Sequence, residues 1–325
     1  MKLKRLLVWM LVFAMCFMLA SCKNDAGDKD PTTGNSGVSQ NGSATPLLYR
    51  VTDKSGNVIW LFGSIHIGRQ DYYPLPDYVQ NAFNNADSLA VELDVLAFEK
   101  DVSLQMKAIS HLVYKDGSTI KDHIPQSLYQ QAVDILKAYN YYVSALDLYC
   151  PAFWGSLIES LMWEELGGNT NLGIDRHLTN AAYEAEKEVL EIESAEFQYK
   201  MLAGFDDEVQ AMLLTSAVQS YENKNEASAS VEMMMDLWAS GDESAFIAYL
   251  NTSDDTMTDK EKQIYEKYNQ AMLVDRNLAM ANYAENALLS GKEVFICVGA
   301  AHIVGSGAVA ELLAQRGYTV ECITN

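Results

Sequence analysis

VIWLFGSIHIG, residues 58–68, is an apolar run that stops abruptly at Gly63-Ser64-Ile65-His66. A second run, Glu293-Val294-Phe295-Ile296-Cys297-Val298, reaches Gly299-Ala300-Ala301-His302 in the same way. Short apolar runs bounded by glycine read as buried strands. Two strands from opposite ends of the chain therefore each deliver a Gly-x-x-His at the tip. Glycine has no Cβ, so at Gly63 and Gly299 the chain can turn sharply or approach a neighbour closely and release its imidazole into a crevice.

Working outward, residues 48–66 contain two β-rich runs around Asp53-Lys54-Ser55-Gly56-Asn57, a hairpin signal. After Tyr72-Tyr73-Pro74-Leu75-Pro76, the residues Val79, Ala82, Phe83 and Ala86 recur at helical spacing, and Ser88 to Asp94 reads as the next strand. Strand, helix and strand in this order predict a βαβ unit with a right-handed crossover and parallel pairing. Residues 96–168 and 195–290 are predicted helical insertions, with Pro125 and Pro151 placed to start helices. Between them, Gly173-Ile174-Asp175 opens a helix to about Lys187, followed by a strand through Val189-Leu190-Glu191-Ile192-Glu193. Lys260 to Leu289 is one long helix or two, and Met233-Met234-Met235 reads as adaptable core. The strand at 293–298, a helix at 308–316 and a strand at 318–323 close a final βαβ. The expected fold is α/β, with a mainly parallel mixed central sheet, a starting β-hairpin and large helical insertions.

The 325 residues, 49% of them hydrophobic, with five Trp and eighteen Tyr, suffice for a sizeable core. The N-terminus reads as an address. Lys2, Lys4 and Arg5 precede an apolar stretch from Leu6 to Leu19, and Leu19-Ala20-Ser21-Cys22 looks like a bacterial lipobox. Residues 1–21 are expected to be a lipoprotein signal peptide, with lipid on Cys22 holding the protein at the extracytoplasmic face of the cell membrane. No other stretch is long enough to span a bilayer. Residues 22–45, rich in Asn, Asp, Gly, Ser and Thr, read as a flexible tether, leaving 46–325 as the folded domain. Loss of the three N-terminal cations makes the chain still more negative than its formal charge of −21. Such a surface repels nucleic acid and names no substrate. Cys150, Cys297 and Cys322 remain after processing, an odd number; either Cys297 and Cys322 form one bridge between neighbouring strands, or all are buried free thiols.

Ligand sites of mainly parallel sheets form beyond the carboxyl ends of the strands. Both histidines sit there, as does Glu92-Leu93-Asp94. Two neutral imidazoles and a carboxylate make a first shell for zinc, manganese, cobalt or iron. Glu92 would ligate the ion or serve as general base to its water, and strand alternation would put Asp94 on the same face. The bland reading makes His66 and His302 core histidines bonded to loop carbonyls. Gly305-Ser306-Gly307 either presents N–H groups to an anion or simply turns the chain. Asp175 is either a helix N-cap or a site residue, and Arg276 either makes a structural ion pair or aims into the crevice. Ser64 lacks a Gly-x-Ser-x-Gly elbow, and the apolar setting of Cys297 lowers its reactivity.

One ordered set of motifs resembles those of the TraB/PrgY/GumN family. It runs Leu61-Phe62-Gly63-Ser64-Ile65-His66-Ile67-Gly68, Tyr73-Pro74-Leu75-Pro76, Ala86-Asp87-Ser88-Leu89-Ala90-Val91-Glu92-Leu93-Asp94, Gly173-Ile174-Asp175, Leu190-Glu191-Ile192-Glu193-Ser194, Val274-Asp275-Arg276-Asn277 and Val298-Gly299-Ala300-Ala301-His302. The resemblance implies an α/β fold similar to the Tiki metalloproteases and, more remotely, to erythromycin esterases and ChaN-type haem-binding lipoproteins. Tiki-like members are metal-dependent peptidases whose two Gly-x-x-His motifs and a glutamate form the site. Carried over, these fall on His66, His302 and Glu92; Asp175, Glu193 and Arg276 match further motif positions. The implied protein is a lipid-anchored, metal-dependent hydrolase using manganese, cobalt or zinc on a peptide or protein substrate. Two alternatives accompany it: a non-catalytic lipoprotein holding a peptide signal or haem in the same crevice, and a metal-free esterase using His66 and Glu92.

Overall fold

The hairpin forms where the turn residues place it. Strand β1 (Leu48–Thr52) pairs antiparallel with β2 (Val58–Ser64), and Asp53 Oδ1 accepts the N–H groups of Ser55 and Asn57 in the turn. The computed structural model describes residues 42–252 and 257–323. The expected signal segment, Cys22 and the tether as far as residue 41 lie outside them. Residues 42–45, expected within that tether, are pinned to the fold: Gly42 N–H donates to the Pro74 carbonyl, Thr45 N–H to that of Ala239, and Ala44 is fully buried.

Helix α1 (Asp77–Asn85) buries Val79, Ala82 and Phe83 and leads to β3 (Ser88–Val91). The first insertion holds α2 (Val95–Lys100), α3 (Val102–Ile109), α4 (Ile120–His123), α5 (Gln126–Ala138) and α6 (Pro151–Glu165), the last with Pro151 in its first turn. Helix α7 (Ile174–Glu184) returns the chain to β4 (Glu188–Glu191). The second insertion contains α8 (Ala195–Ala203), α9 (Asp207–Glu222), α10 (Lys224–Ser240), α11 (Glu243–Leu250) and α12 (Asp259–Asn269). A π-helical turn (Gln270–Val274) joins α12 to α13 (Asp275–Ser290) without a break. Strand β5 (Val294–Gly299), the single turn α14 (Ala300–Ile303), α15 (Val309–Gln315) and β6 (Thr319–Ile323) follow.

The six strands lie in the order β4-β3-β5-β2-β1-β6, and only β1 opposes the rest. The α/β class with a mainly parallel mixed sheet is thus realised. Two pairings differ from expectation. Strand β5 separates β2 from β3, and β2 and β1 separate β5 from β6, so neither βαβ unit joins adjacent strands. Periodicity tells which segments are strands, but their order is decided by packing between distant segments. The same order places Cys297 on β5 and Cys322 on β6, too far apart to bridge. Both are free, as is Cys150, and Cys322 is exposed rather than buried.

Strand β5 is buried along its whole length, and Phe295 packs against Phe62 and Phe83 in the sheet core. Separate apolar clusters fill the insertions, one around Trp154, Leu136 and Leu214, another around Phe98, Tyr199 and Tyr268. The π-helical turn connects these worlds: Tyr268 belongs to an insertion cluster, and Met280 and Ala281 belong to the sheet core. Of the methionine run, Met234 is core and Met233 is exposed.

Candidate functional site

Strands β2 and β5 are adjacent and parallel, with Gly63 opposite Val298 and Ser64 opposite Gly299. Their two Gly-x-x-His tips therefore lie side by side. A Cβ on Gly63 would stand 2.8 Å from Ala300 Cα, a contact no other residue could make without displacing the turn that carries His302. Trp238 Nε1 donates to the Gly63 carbonyl at 2.8 Å and secures this end of β2.

His66 lies just beyond β2, with Nδ1 2.9 Å from Asp175 Oδ2. The Ile174 N–H donates to the Ile65 carbonyl at 2.9 Å, and a Cβ on Gly173 would fall 2.6 Å from the His66 carbonyl oxygen, so the two loops are pressed together. Gly173, not Asp175, is the N-cap of α7; Asp175 sits in the first turn with its carboxylate turned to His66. Burial opposes its ionisation, but the charge and hydrogen bond of His66 and nearby backbone N–H groups outweigh that and hold the carboxyl below its usual range.

His302 occupies α14 and is wholly buried. Its Nδ1 is 2.6 Å from Asn277 Oδ1. Its Nε2 has no hydrogen-bond partner among the described residues and stands 4.0 Å from Glu92 Oε1. Burial first, then the Arg276 cation, and also His66, push the His302 pKa well below the usual histidine value against the pull of Glu193. The ring is neutral at pH 7.

Beyond β3 and β4 the chains keep running side by side, with Ile192 N–H on the Val91 carbonyl and Glu193 N–H on that of Glu92. This brings two carboxylates to one guanidinium. Arg276, 1% exposed, donates from Nε to Glu193 Oε1 at 2.7 Å and from Nη2 to Glu193 Oε2 at 2.8 Å, and its Nη2 also bonds Glu92 Oε2. The remaining Glu92 oxygen, Oε1, accepts the Gly299 N–H at 2.7 Å. Burial disfavours the Arg276 cation, and Glu92 and Glu193 more than offset it. Of the two readings of Arg276, the ion pair is what forms.

Other expected participants are placed elsewhere. Strand β3 ends at Val91, so its alternation does not run through Asp94. Asp94 caps α2 by accepting the Ala97 N–H and also accepts the Tyr183 hydroxyl. Ser64 is buried beside Cys297, whose thiol is pushed well up by burial and by the negative charges of Asp175 and Glu92. In the 305–307 segment the Gly307 N–H donates to Glu311 Oε2 at 2.6 Å, and its carbonyl accepts from Asn277 Nδ2 at 2.9 Å. It is a bonded turn, and that N–H is not offered to an anion. Asn277 was given no role by sequence reasoning; the available signal was its place directly after Arg276 in Asp275-Arg276-Asn277.

Among the described residues, no three His, Cys, Asp or Glu side chains stand close enough together to hold a metal ion. The donors nonetheless fit a divalent transition metal in kind. A buried, neutral, unpartnered imidazole nitrogen faces a carboxylate oxygen, and a second histidine ends the adjacent strand. No helix among the described residues is long and apolar enough to cross a membrane.

The uncharacterized protein YbaP of Escherichia coli (strain K12) is 26% identical to the chain over 268 residues, covering 78% of this chain and 86% of YbaP. YbaP of Shigella flexneri matches to the same extent. No solved structure matches the chain. The model of the TraB/PrgY/gumN family matches residues 47–322, which take in all six strands but for the last residue of β6 and every residue of the cluster just described, and the chain belongs to that family.

Proposed function

We propose that this protein is a metal-dependent hydrolase acting on peptides or secreted proteins, anchored by lipid on Cys22 at the extracytoplasmic face of the membrane. The observation that carries the reading is the His302 Nε2 atom, buried, unpartnered and facing Glu92 Oε1 at 4.0 Å. A buried nitrogen lone pair left unsatisfied is costly unless something fills the gap. His302 and Glu92 would hold manganese, cobalt or zinc, and His66 would join them only by moving closer than it stands here. The ion, when bound, would supply Lewis-acid activation of the attacking water. Arg276 holds the Glu92 carboxylate in place, and Asp175 fixes the imidazole of His66. The Lys2-to-Cys22 pattern supports the anchor.

The test is elemental analysis of the purified protein coupled to digestion of a pooled peptide library. Stoichiometric transition metal, with cleavage that disappears in His302→Ala while the circular dichroism spectrum is kept, is the expected result. Full activity without metal would overturn the metal reading. Bound metal without cleavage of any peptide would favour instead a lipoprotein that captures a peptide signal or haem in the same crevice.

A further inference from the structure

We infer that Asn277 is a positioning residue that fixes the tautomer of His302, through an amide whose own orientation is set by the backbone of the 305–307 turn. Asparagine presents an oxygen and a nitrogen of nearly equal size, so its orientation follows from its partners. The Gly307 carbonyl can only accept, and the Asn277 amide group 2.9 Å from it must therefore be the NH2. That leaves Oδ1, an obligate acceptor, 2.6 Å from His302 Nδ1. Nδ1 must then carry the proton.

With the proton on Nδ1, Nε2 is the ring's second nitrogen, buried and without a hydrogen-bond partner among the described residues, and presents its lone pair. It points at Glu92 Oε1, itself an acceptor that already takes the Gly299 N–H. At 4.0 Å two acceptors face one another without a bond. Such a gap is matched only by an electron-poor occupant, either a cation or the hydrogen of a donor. Residues Arg276 and Asn277, successive on α13, thus divide the work: the first fixes the carboxylate across the gap and the second fixes the ring. The occupant being a metal rests on the proposed function; the tautomer does not.

The test uses the full-length chain with 15N-labelled histidine, stripped with chelator, and two-dimensional long-range 1H–15N spectra at neutral pH, where five histidines give a tractable pattern. His302, assigned by loss of its signals in His302→Gln, is expected to show a protonated Nδ1 and a bare Nε2. Asn277→Asp, which keeps an acceptor, should retain that tautomer; Asn277→Leu should shift or mix it. Zinc should move the Nε2 resonance of the wild type, with zinc affinity falling about 10- to 100-fold in Asn277→Leu, the range for loss of an outer-shell partner. A wild-type His302 protonated at Nε2, or a tautomer unchanged in folded Asn277→Leu, would overturn the inference, and the wild-type spectrum decides even if that variant does not fold. A bare Nε2 that zinc fails to move would uphold Asn277 and remove the metal reading instead.

Discussion

Replacing Arg276 by methionine keeps an unbranched apolar stem and deletes the guanidinium. In the native fold that group is 1% exposed and serves Glu92, 11% exposed, and Glu193, 6% exposed. Removing one partner of a buried ion pair costs about 3–5 kcal/mol, because the remaining charge is left without compensation. Here one cation serves two carboxylates, which places the loss near the upper end, about 5 kcal/mol. For a chain of this size each kcal/mol moves the melting temperature by roughly 2–4 °C, so Arg276→Met should melt on the order of 10 °C or more below wild type. The assay is differential scanning calorimetry on Arg276→Met and on a variant that also carries Glu92→Gln and Glu193→Gln. The neutralised variant contains no orphaned charge and should recover most of the loss, a coupling that independent sites would not show. Arg276→Met melting within about 2 °C of wild type, well inside the smallest loss expected, would refute the reasoning, as would a neutralised variant that melts no higher than Arg276→Met.

Three further outcomes follow from separate parts of the molecule. Gly63→Ala places a methyl 2.8 Å from Ala300 Cα and should cost about 1–3 kcal/mol, the usual penalty of overpacking, read as a lower urea midpoint with unchanged slope. Glu159 lines a cavity of about 20 Å³ with Ser156 and Tyr268, and burial pushes its carboxyl up to about 8. Its folded value lies above the unfolded one, so the native state keeps a proton that the unfolded chain loses, and stability falls as pH rises from about 4.5 to 8. Glu159→Gln should flatten that decline and gain on the order of 3 kcal/mol at pH 7; an unchanged pH slope in urea melts would contradict it. Brief alkylation of the native protein should label Cys322 and spare Cys150 and Cys297 until urea is added, as followed by peptide mass mapping; early labelling of either buried thiol would contradict the burial described.

The sequence made the hairpin, the strand at 293–298 and the two helical insertions legible because turn residues and apolar periodicity are local signals. The pairing of the two Gly-x-x-His tips was legible for a different reason, since each ended a strand of the same kind. What local pattern could not supply was the strand order, in which β5 enters between β2 and β3. Asp94 was misplaced because an aspartate before an apolar run serves equally as the end of a strand or the cap of a helix, and here α2 takes it. Asp175 was open to the opposite error: its place near a helix start suggested capping, and the fold turns it to His66. The acidic excess pointed to an ion pair for Arg276, but its partners lie on loops 83 and 184 residues away in sequence. Asn277 carries no charge, and beyond its place directly after Arg276 only its two hydrogen bonds reveal its role.

The insertion of β5 between β2 and β3 also gives the molecule an order in time. A chain made or exported from its N-terminus releases β2 and β3 long before the strand that fills the gap between them. Until then their facing edges carry unpaired N–H and C=O groups, which are templates for wrong association. Pairings between segments so far apart in sequence also form slowly. The helical insertions can settle on their own apolar clusters meanwhile. The sheet cannot close until residues 294–299 arrive, and His302 reaches Glu92 in the same event. On a growing chain His66, Glu92 and Arg276 are present first, and the His302 side of the site is added when the sheet closes.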